Sequence, residues 1–183
     1  MLLKFDIAQL SSPAKFQQAW FERFWTFFGW ASRILFAGDV EAVMSKASGV
    51  VVDLGTGAGD WLYLFAPSHN PNITKLILLE PNTNFHSSLR TRAHELGLDG
   101  KYEIIGAPAQ EIERYGYKAG SIDTVTTVHV LCSVGQPEPI IKALYRILKP
   151  GGQFLVYEHI ANNSGNKLAE TWQRESATSS LSI

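Results

Sequence analysis

Cysteine is nearly absent: Cys132 is the single one in 183 residues. That excludes an internal disulfide framework and any cysteine-rich zinc site, and it fits a reducing, cytoplasmic setting. No metal site is expected. A surplus of one charge is also missing. Sixteen Lys and Arg face seventeen Asp and Glu, a net charge of −1, so there is no basic footprint for nucleic acid. Long apolar runs are lacking too. In the aromatic N-terminal region the longest uncharged run, Phe24 to Ser32, falls far short of the ~20 residues that span a bilayer. The opening Met-Leu-Leu-Lys-Phe-Asp breaks its short apolar run with charge and does not read as a signal peptide. No internal repeat or interdomain linker is visible. What is present is 45% hydrophobic and 18% charged, the balance of one globular domain with a sizeable core.

The chain is organised around Val50 to Asp60, Val-Val-Val-Asp-Leu-Gly-Thr-Gly-Ala-Gly-Asp. Three β-branched residues followed by Asp-Leu read as a buried strand. Gly55, Thr56, Gly57, Ala58 and Gly59 then form a turn that admits a ligand close to the backbone. A helix beginning near Gly59 or Asp60 would point free N–H groups into that turn.

Residues 13–47 crowd together Phe16, Trp20, Phe21, Phe24, Trp25, Phe27, Phe28 and Trp30. Phe16, Trp20, Phe24 and Phe27 fall on one helical face, and Pro13 suits a helix start. Two readings of this helix stand. It lids the glycine turn, or residues 13–36 lie in a membrane interface. Downstream, strands are expected at Thr74–Leu79, Lys101–Ile105, Ile122–Leu131 and Gln153–Glu158. Helices are expected at Trp61–Phe65, Asn84–Leu96 (stopped by Gly97), after Gly106 and at Ile140–Leu148. Strands alternating with helices imply an α/β fold with a mostly parallel sheet covered on both faces.

Glu80 ends the second strand, twenty-one residues past Gly59. A carboxylate there can accept hydrogen bonds from two ribose hydroxyls. The glycine pattern departs from a dinucleotide fingerprint, because its third glycine comes one residue early and Asp60 takes the sixth position. An acid beside a pyrophosphate is repulsive, so a nucleoside without phosphates fits better.

These features resemble the class I S-adenosylmethionine-dependent methyltransferases. The resemblance rests on Val51 to Gly59, Glu80, Ala107-Pro108-Ala109-Gln110-Glu111, Ser121-Ile122-Asp123 and Leu148-Lys149-Pro150-Gly151-Gly152. Pro81-Asn82, Leu131-Cys132-Ser133-Val134 and Glu158-His159 look like the small membrane-associated thiol S-methyltransferases. The resemblance implies a Rossmann-like sheet in which Asp53, Gly55 and Gly57 hold the methionine end of S-adenosyl-L-methionine, with Thr56 and Gly59 also among the cofactor-binding residues. It implies that Glu80 binds the ribose and that Asn82, Ala109 and Gln110 border the adenine. His129 and Leu131 would border the transferable methyl. Many relatives have an acid where Gln110 stands, though an amide can also bond the adenine amino group. The chain then divides into a helical lid (1–47), a cofactor-binding core (48–160) and a partial helix with a polar tail (161–183).

The implied reaction moves a methyl group to a small-molecule thiol or hydroxyl. A thiol needs little beyond loss of its proton, whereas a hydroxyl needs a base. His129 is the candidate base, set against a histidine that only packs beneath the cofactor. Glu158 and His159 are weaker candidates, and Cys132 among apolar neighbours reads as a buried, inert thiol. Family members add a helix and a strand pair after the fifth strand, which needs roughly 35 to 40 residues. Ile160 to Ile183 are too few, so the expectation is an edge strand at 153–158, coverable by a second copy. A non-catalytic cofactor-binding module is the competing function.

Overall fold

The computed structural model describes residues 12–158; inside the first helix the side chains of residues 13–15, 17–18, 21–28 and 30–31 fall outside the description. The expectations for residues 161–183 and for His159 lie outside the described residues, as do most of the N-terminal aromatic side chains.

A 32-residue helix, α1 (Pro13–Met44), leads into β1 (Gly49–Leu54). Then follow β2 (Ile73–Leu79), α2 (His86–Glu95), β3 (Tyr102–Ile105), β4 (Ile122–Val128), α3 (Pro137–Ile147) and β5 (Leu148–Tyr157). The sheet order is β3-β2-β1-β4-β5, and every pairing is parallel. The order reverses between β1 and β4, which opens a crevice at the carboxyl ends of those strands. Among the described strands, β3 and β5 form the edges.

Side chains alternate across the sheet because the strand period is two. Val51, Leu76 and Leu78 point to the layer holding Val40 and Met44 of α1, Phe65, and Leu89 and Ala93 of α2. Val52, Leu54, Ile77 and Leu79 point to the opposite layer, against Ile112 and against Leu144 and Ile147 of α3. Helices thus cover both faces, as the alternating pattern predicts. Gly97 ends α2 in the left-handed region (φ 69°), and the Leu98 N–H returns to the Ala93 carbonyl at 3.0 Å. That satisfies a carbonyl at the helix end in the usual glycine-terminated way.

Three local expectations are corrected. The helix expected from Asp60 is only a 3₁₀ turn, Leu62–Phe65, because Pro67 leaves too few residues for an α-helix. The fourth strand stops at Val128 rather than Leu131. His129 takes φ 57°, which no extended strand accommodates, and Leu131–Ser133 turn as 3₁₀. The fifth strand begins at Leu148, so Lys149-Pro150-Gly151-Gly152 lies inside it as an irregularity in the β4 pairing, with Gly151 at φ 80°.

Candidate active site

A cavity of about 410 Å³ opens at the crevice between β1 and β4. Its floor is the glycine turn. Gly55 and Gly57 adopt φ 62° and 58°, a region that side-chain-bearing residues rarely enter. A Cβ on Gly55 would stand 2.7 Å from both methyls of Val130, whereas one on Gly57 would meet only the Gly55 carbonyl oxygen at 4.0 Å. The turn is therefore packed from below at Gly55 and open above at Gly57.

Glu80 reaches this floor from the end of β2. Its Oε2 accepts the Gly57 N–H and its Oε1 accepts the Asn82 N–H, each at 2.8 Å. Burial drives the Glu80 carboxyl up to about 7; the two N–H donors oppose this and the nearby Asp53 adds to it. Asp53 is pushed up to about 6 by burial, against hydroxyl donors Thr126 and Thr56. The Thr126 bond to Asp53 Oδ1 is 2.7 Å long.

Gly55, Thr56, Gly57, Glu80, Ala109, Gln110 and His129 line the cavity. Asp53 lies beside it, in a small recess shared with Gly55, Thr56, Trp61 and Val128. Gly59 faces Leu89, Arg92 and Leu62 instead. Asn82 turns its side chain to the Asn84 N–H at 3.1 Å, capping the 3₁₀ turn Thr83–Phe85. Pro81, Phe85 and Pro108 complete an apolar slot near Ala109 and Gln110. His86 ties that side together through a 2.7 Å bond between Nε2 and the Glu80 carbonyl.

The opposite end is formed by the turn after β4 and by α1. The His129 Nδ1 lies 3.2 Å from the Ser32 hydroxyl, and its ring packs against Phe36 and Tyr157 at 5.9 and 5.3 Å. Gly29 of α1 sits so close to Asp60 that a Cβ there would collide with the carboxylate. Gly29, Ser32, Arg33 and Phe36 recur at i, i+3, i+4 and i+7, one face of the helix. Arg33 attracts Asp60 electrostatically and stands 5.0 Å over the Tyr63 ring.

Cys132 departs from expectation. It is exposed, since it sits on a turn outside the sheet. Its thiol is nevertheless pushed up to about 11, by desolvation of the sulfur and by the Glu158 carboxylate, which keeps it protonated at neutral pH and slows its reaction as a nucleophile.

Sequence reasoning missed Ser32 and Thr126. Thr126 had a signal: Thr124, Thr126 and Thr127 are three hydroxyls among the apolar residues of β4 beyond Asp123, and all are fully buried. Such hydroxyls need partners. They find them in Ser48, Asp53 and Glu158. Ser32 offered none, because nothing in α1 marks which face meets β4.

Residues 26–178 match the methyltransferase domain family. The chain belongs to that family. Among methyltransferase relatives, the thiol S-methyltransferase TMT1B of Homo sapiens is 31% identical over 134 residues, covering 72% of this chain and 51% of the relative. The ubiquinone/menaquinone biosynthesis C-methyltransferase UbiE of Pseudomonas savastanoi pv. phaseolicola is 30% identical over 108 residues, 59% of this chain and 41% of the relative. The chain thus spans about half the length of the curated relatives it matches. A solved S-adenosylmethionine-dependent methyltransferase from Aquifex aeolicus superposes with a TM-score of 0.53 at 21% identity, covering 80% of this chain and 69% of that one. It shares the Rossmann-like class I fold.

The residues present fit the donor of that class. An open glycine turn can take a charged amino-acid end against backbone. The Glu80 oxygens, each holding one N–H, keep lone pairs for sugar hydroxyls. The apolar slot by Pro81, Phe85 and Pro108 suits a flat base.

Proposed function

We propose that this chain binds S-adenosyl-L-methionine in the cavity between β1 and β4 and transfers its methyl group to a small-molecule thiol or hydroxyl. The observation that carries the reading is the Glu80 carboxylate, buried at the end of β2 and bonded to the Gly57 N–H at 2.8 Å. It links a sugar-binding acid to the glycine turn across the floor of one cavity. The thiol S-methyltransferase relative supports a thiol acceptor. The C-methyltransferase relative keeps the acceptor atom open.

When bound, the donor supplies a methyl already activated by its sulfonium. The chain's own task is alignment and exclusion of water. Glu80 orients the ribose and the glycine turn receives the amino-acid end. Ala109 and Gln110 border the base. His129, at the far end beside Ser32, is placed to meet an acceptor proton. The Gly29–Phe36 face of α1 covers that end, which supports the lid reading. The half-exposed Phe16 and Trp20, with the exposed Ile34 and Leu35, support a lipid-facing side of the same helix. Among the described residues, no helix is long and apolar enough to cross a membrane.

Calorimetry with S-adenosylhomocysteine, paired with methyl transfer to a panel of thiols and phenols, tests the reading. Binding with transfer to at least one acceptor is expected. Binding without transfer to any acceptor would favour a cofactor-binding module, and no binding would refute the site.

A further inference from the structure

We propose that Glu158 is a positioning residue whose carboxylate locks the turn after β4, and with it His129 and Val130, at the acceptor end of the cavity. The inference rests on the methyl-transfer reading and extends it to a residue outside the cavity wall.

The geometry is that of one acid serving three donors. Glu158 Oε1 accepts the Thr127 hydroxyl at 2.6 Å and the Val130 N–H at 2.9 Å, and Oε2 accepts the Leu131 N–H at 3.1 Å. The chain leaves extended geometry at His129, where φ is 57°. Val130 and Leu131 therefore lose the ladder partners that a continuing strand would give them. A carboxylate just past β5 replaces those partners on both oxygens. An amide could not, because its NH₂ would face a donor. Glu158 touches neither the cavity nor its floor directly.

Its influence arrives through the turn. The Val130 methyls press on the Gly55 position of the glycine turn. His129 is held from both sides, its N–H on the Tyr157 carbonyl at 3.0 Å and its ring against Tyr157 and Phe36. Freeing Val130 and Leu131 would let the turn drift. A drift of an ångström at the reacting end can cost about a hundredfold in rate.

Cys132 supplies a local reporter. It is the chain's single cysteine, its sulfur lies 3.6 Å from the His129 carbonyl oxygen, and Glu158 is one of the groups that keep its thiol protonated. Loss of the Glu158 charge also lowers the thiol's pKa, so alkylation is followed as a pH–rate profile and compared throughout as the rate constant of the fully ionised thiolate. That rate constant reads the turn without reference to methyl transfer.

The test uses the full chain and the variants Glu158→Gln, Glu158→Ala and Thr127→Val. Iodoacetamide alkylation of Cys132, the Kd of S-adenosylhomocysteine, and kcat and KM for a transferring acceptor are measured. Glu158→Gln and Glu158→Ala should speed alkylation about tenfold and lower kcat about tenfold or more, with cofactor Kd and acceptor KM moving less than about threefold. Thr127→Val, which keeps both backbone bonds, should stay near wild type. Wild-type alkylation in Glu158→Gln would overturn the proposal, and so would faster alkylation with unchanged kcat. If the wild type transfers to no acceptor, the methyl-transfer reading fails, and the alkylation rates alone decide whether Glu158 locks the turn.

Discussion

Glu80 and Gly57 are joined by a 2.8 Å bond from the Gly57 N–H to the carboxylate. The acid expected to bind sugar is thus also a strut for the glycine turn. One residue carries two roles, and they separate on substitution. Glu80→Ala should weaken S-adenosylhomocysteine binding by about 1–3 kcal/mol, since charge-assisted bonds to the ligand disappear and the Gly57 and Asn82 N–H groups both lose their acceptor. Glu80→Gln, which keeps one acceptor oxygen, should lose less. Calorimetry reads both, and an unchanged Kd in Glu80→Ala would remove the ribose role.

Acidity should move stability and affinity in opposite directions. Glu80 is pushed up to about 7 and Asp53 to about 6, above their unfolded values of 4.5 and 3.8. The folded chain therefore keeps protons that the unfolded chain has released. Stability from these groups is full below pH 4 and is lost as pH rises through 6 to 7. Asp60, also raised, acts with the same sign. Denaturant unfolding without ligand should show a loss of about 1–3 kcal/mol between pH 4.5 and 7.5, smaller in Glu80→Gln. Cofactor affinity should rise over the same range and level off above pH 7, because ribose hydroxyls donate to the ionised carboxylate.

Two glycines of α1 give a paired test of its docking. At Gly38 a Cβ would meet nothing within 4 Å, so Gly38→Ala should stabilise the chain by about 0.5–1 kcal/mol through helix propensity alone. At Gly29 the same methyl would displace the Asp60 carboxylate, which lines the cavity. Gly29→Ala should therefore forfeit that gain and weaken cofactor binding. Equal stabilisation by both substitutions would mean that α1 does not rest on the turn.

The sheet was legible because its cause is local. Val50 to Leu54 and Thr74 to Leu79 are apolar runs bounded by turn residues, and parallel order follows from the helices between them. The glycine turn and Glu80 were legible because their spacing is short and one-dimensional. The end of β4 was not. The chain turns at His129, and the turn is held by Glu158 through Thr127, Val130 and Leu131, some thirty residues away in sequence, so no pattern near His129 records it. The exposure of Cys132 was missed because burial was inferred from its apolar neighbours Val130, Leu131 and Val134. The docking face of α1 escaped because its described members Gly29, Ser32 and Arg33 are small or polar and stand out in no apolar pattern.

His129 can be tested as a base through the chemistry of the acceptor. It is the one described non-glycine residue with a positive φ, at 57°, and asparagine is among the side chains most at ease there. His129→Asn should thus keep the turn while removing the ring. A thiol, with a pKa near 8.5, is partly ionised without help, whereas a phenol near 10 is not. If the ring takes the acceptor proton, transfer to a phenol should fall about a hundredfold or more, while transfer to a thiol at pH 8.5 falls less than about tenfold. The unfolding free energy of the variant, measured alongside, separates lost packing against Phe36 and Tyr157 from lost chemistry. Equal losses on both acceptor classes would make the ring a packing element, and the proton would then have to leave through solvent, which only an acidic acceptor can manage.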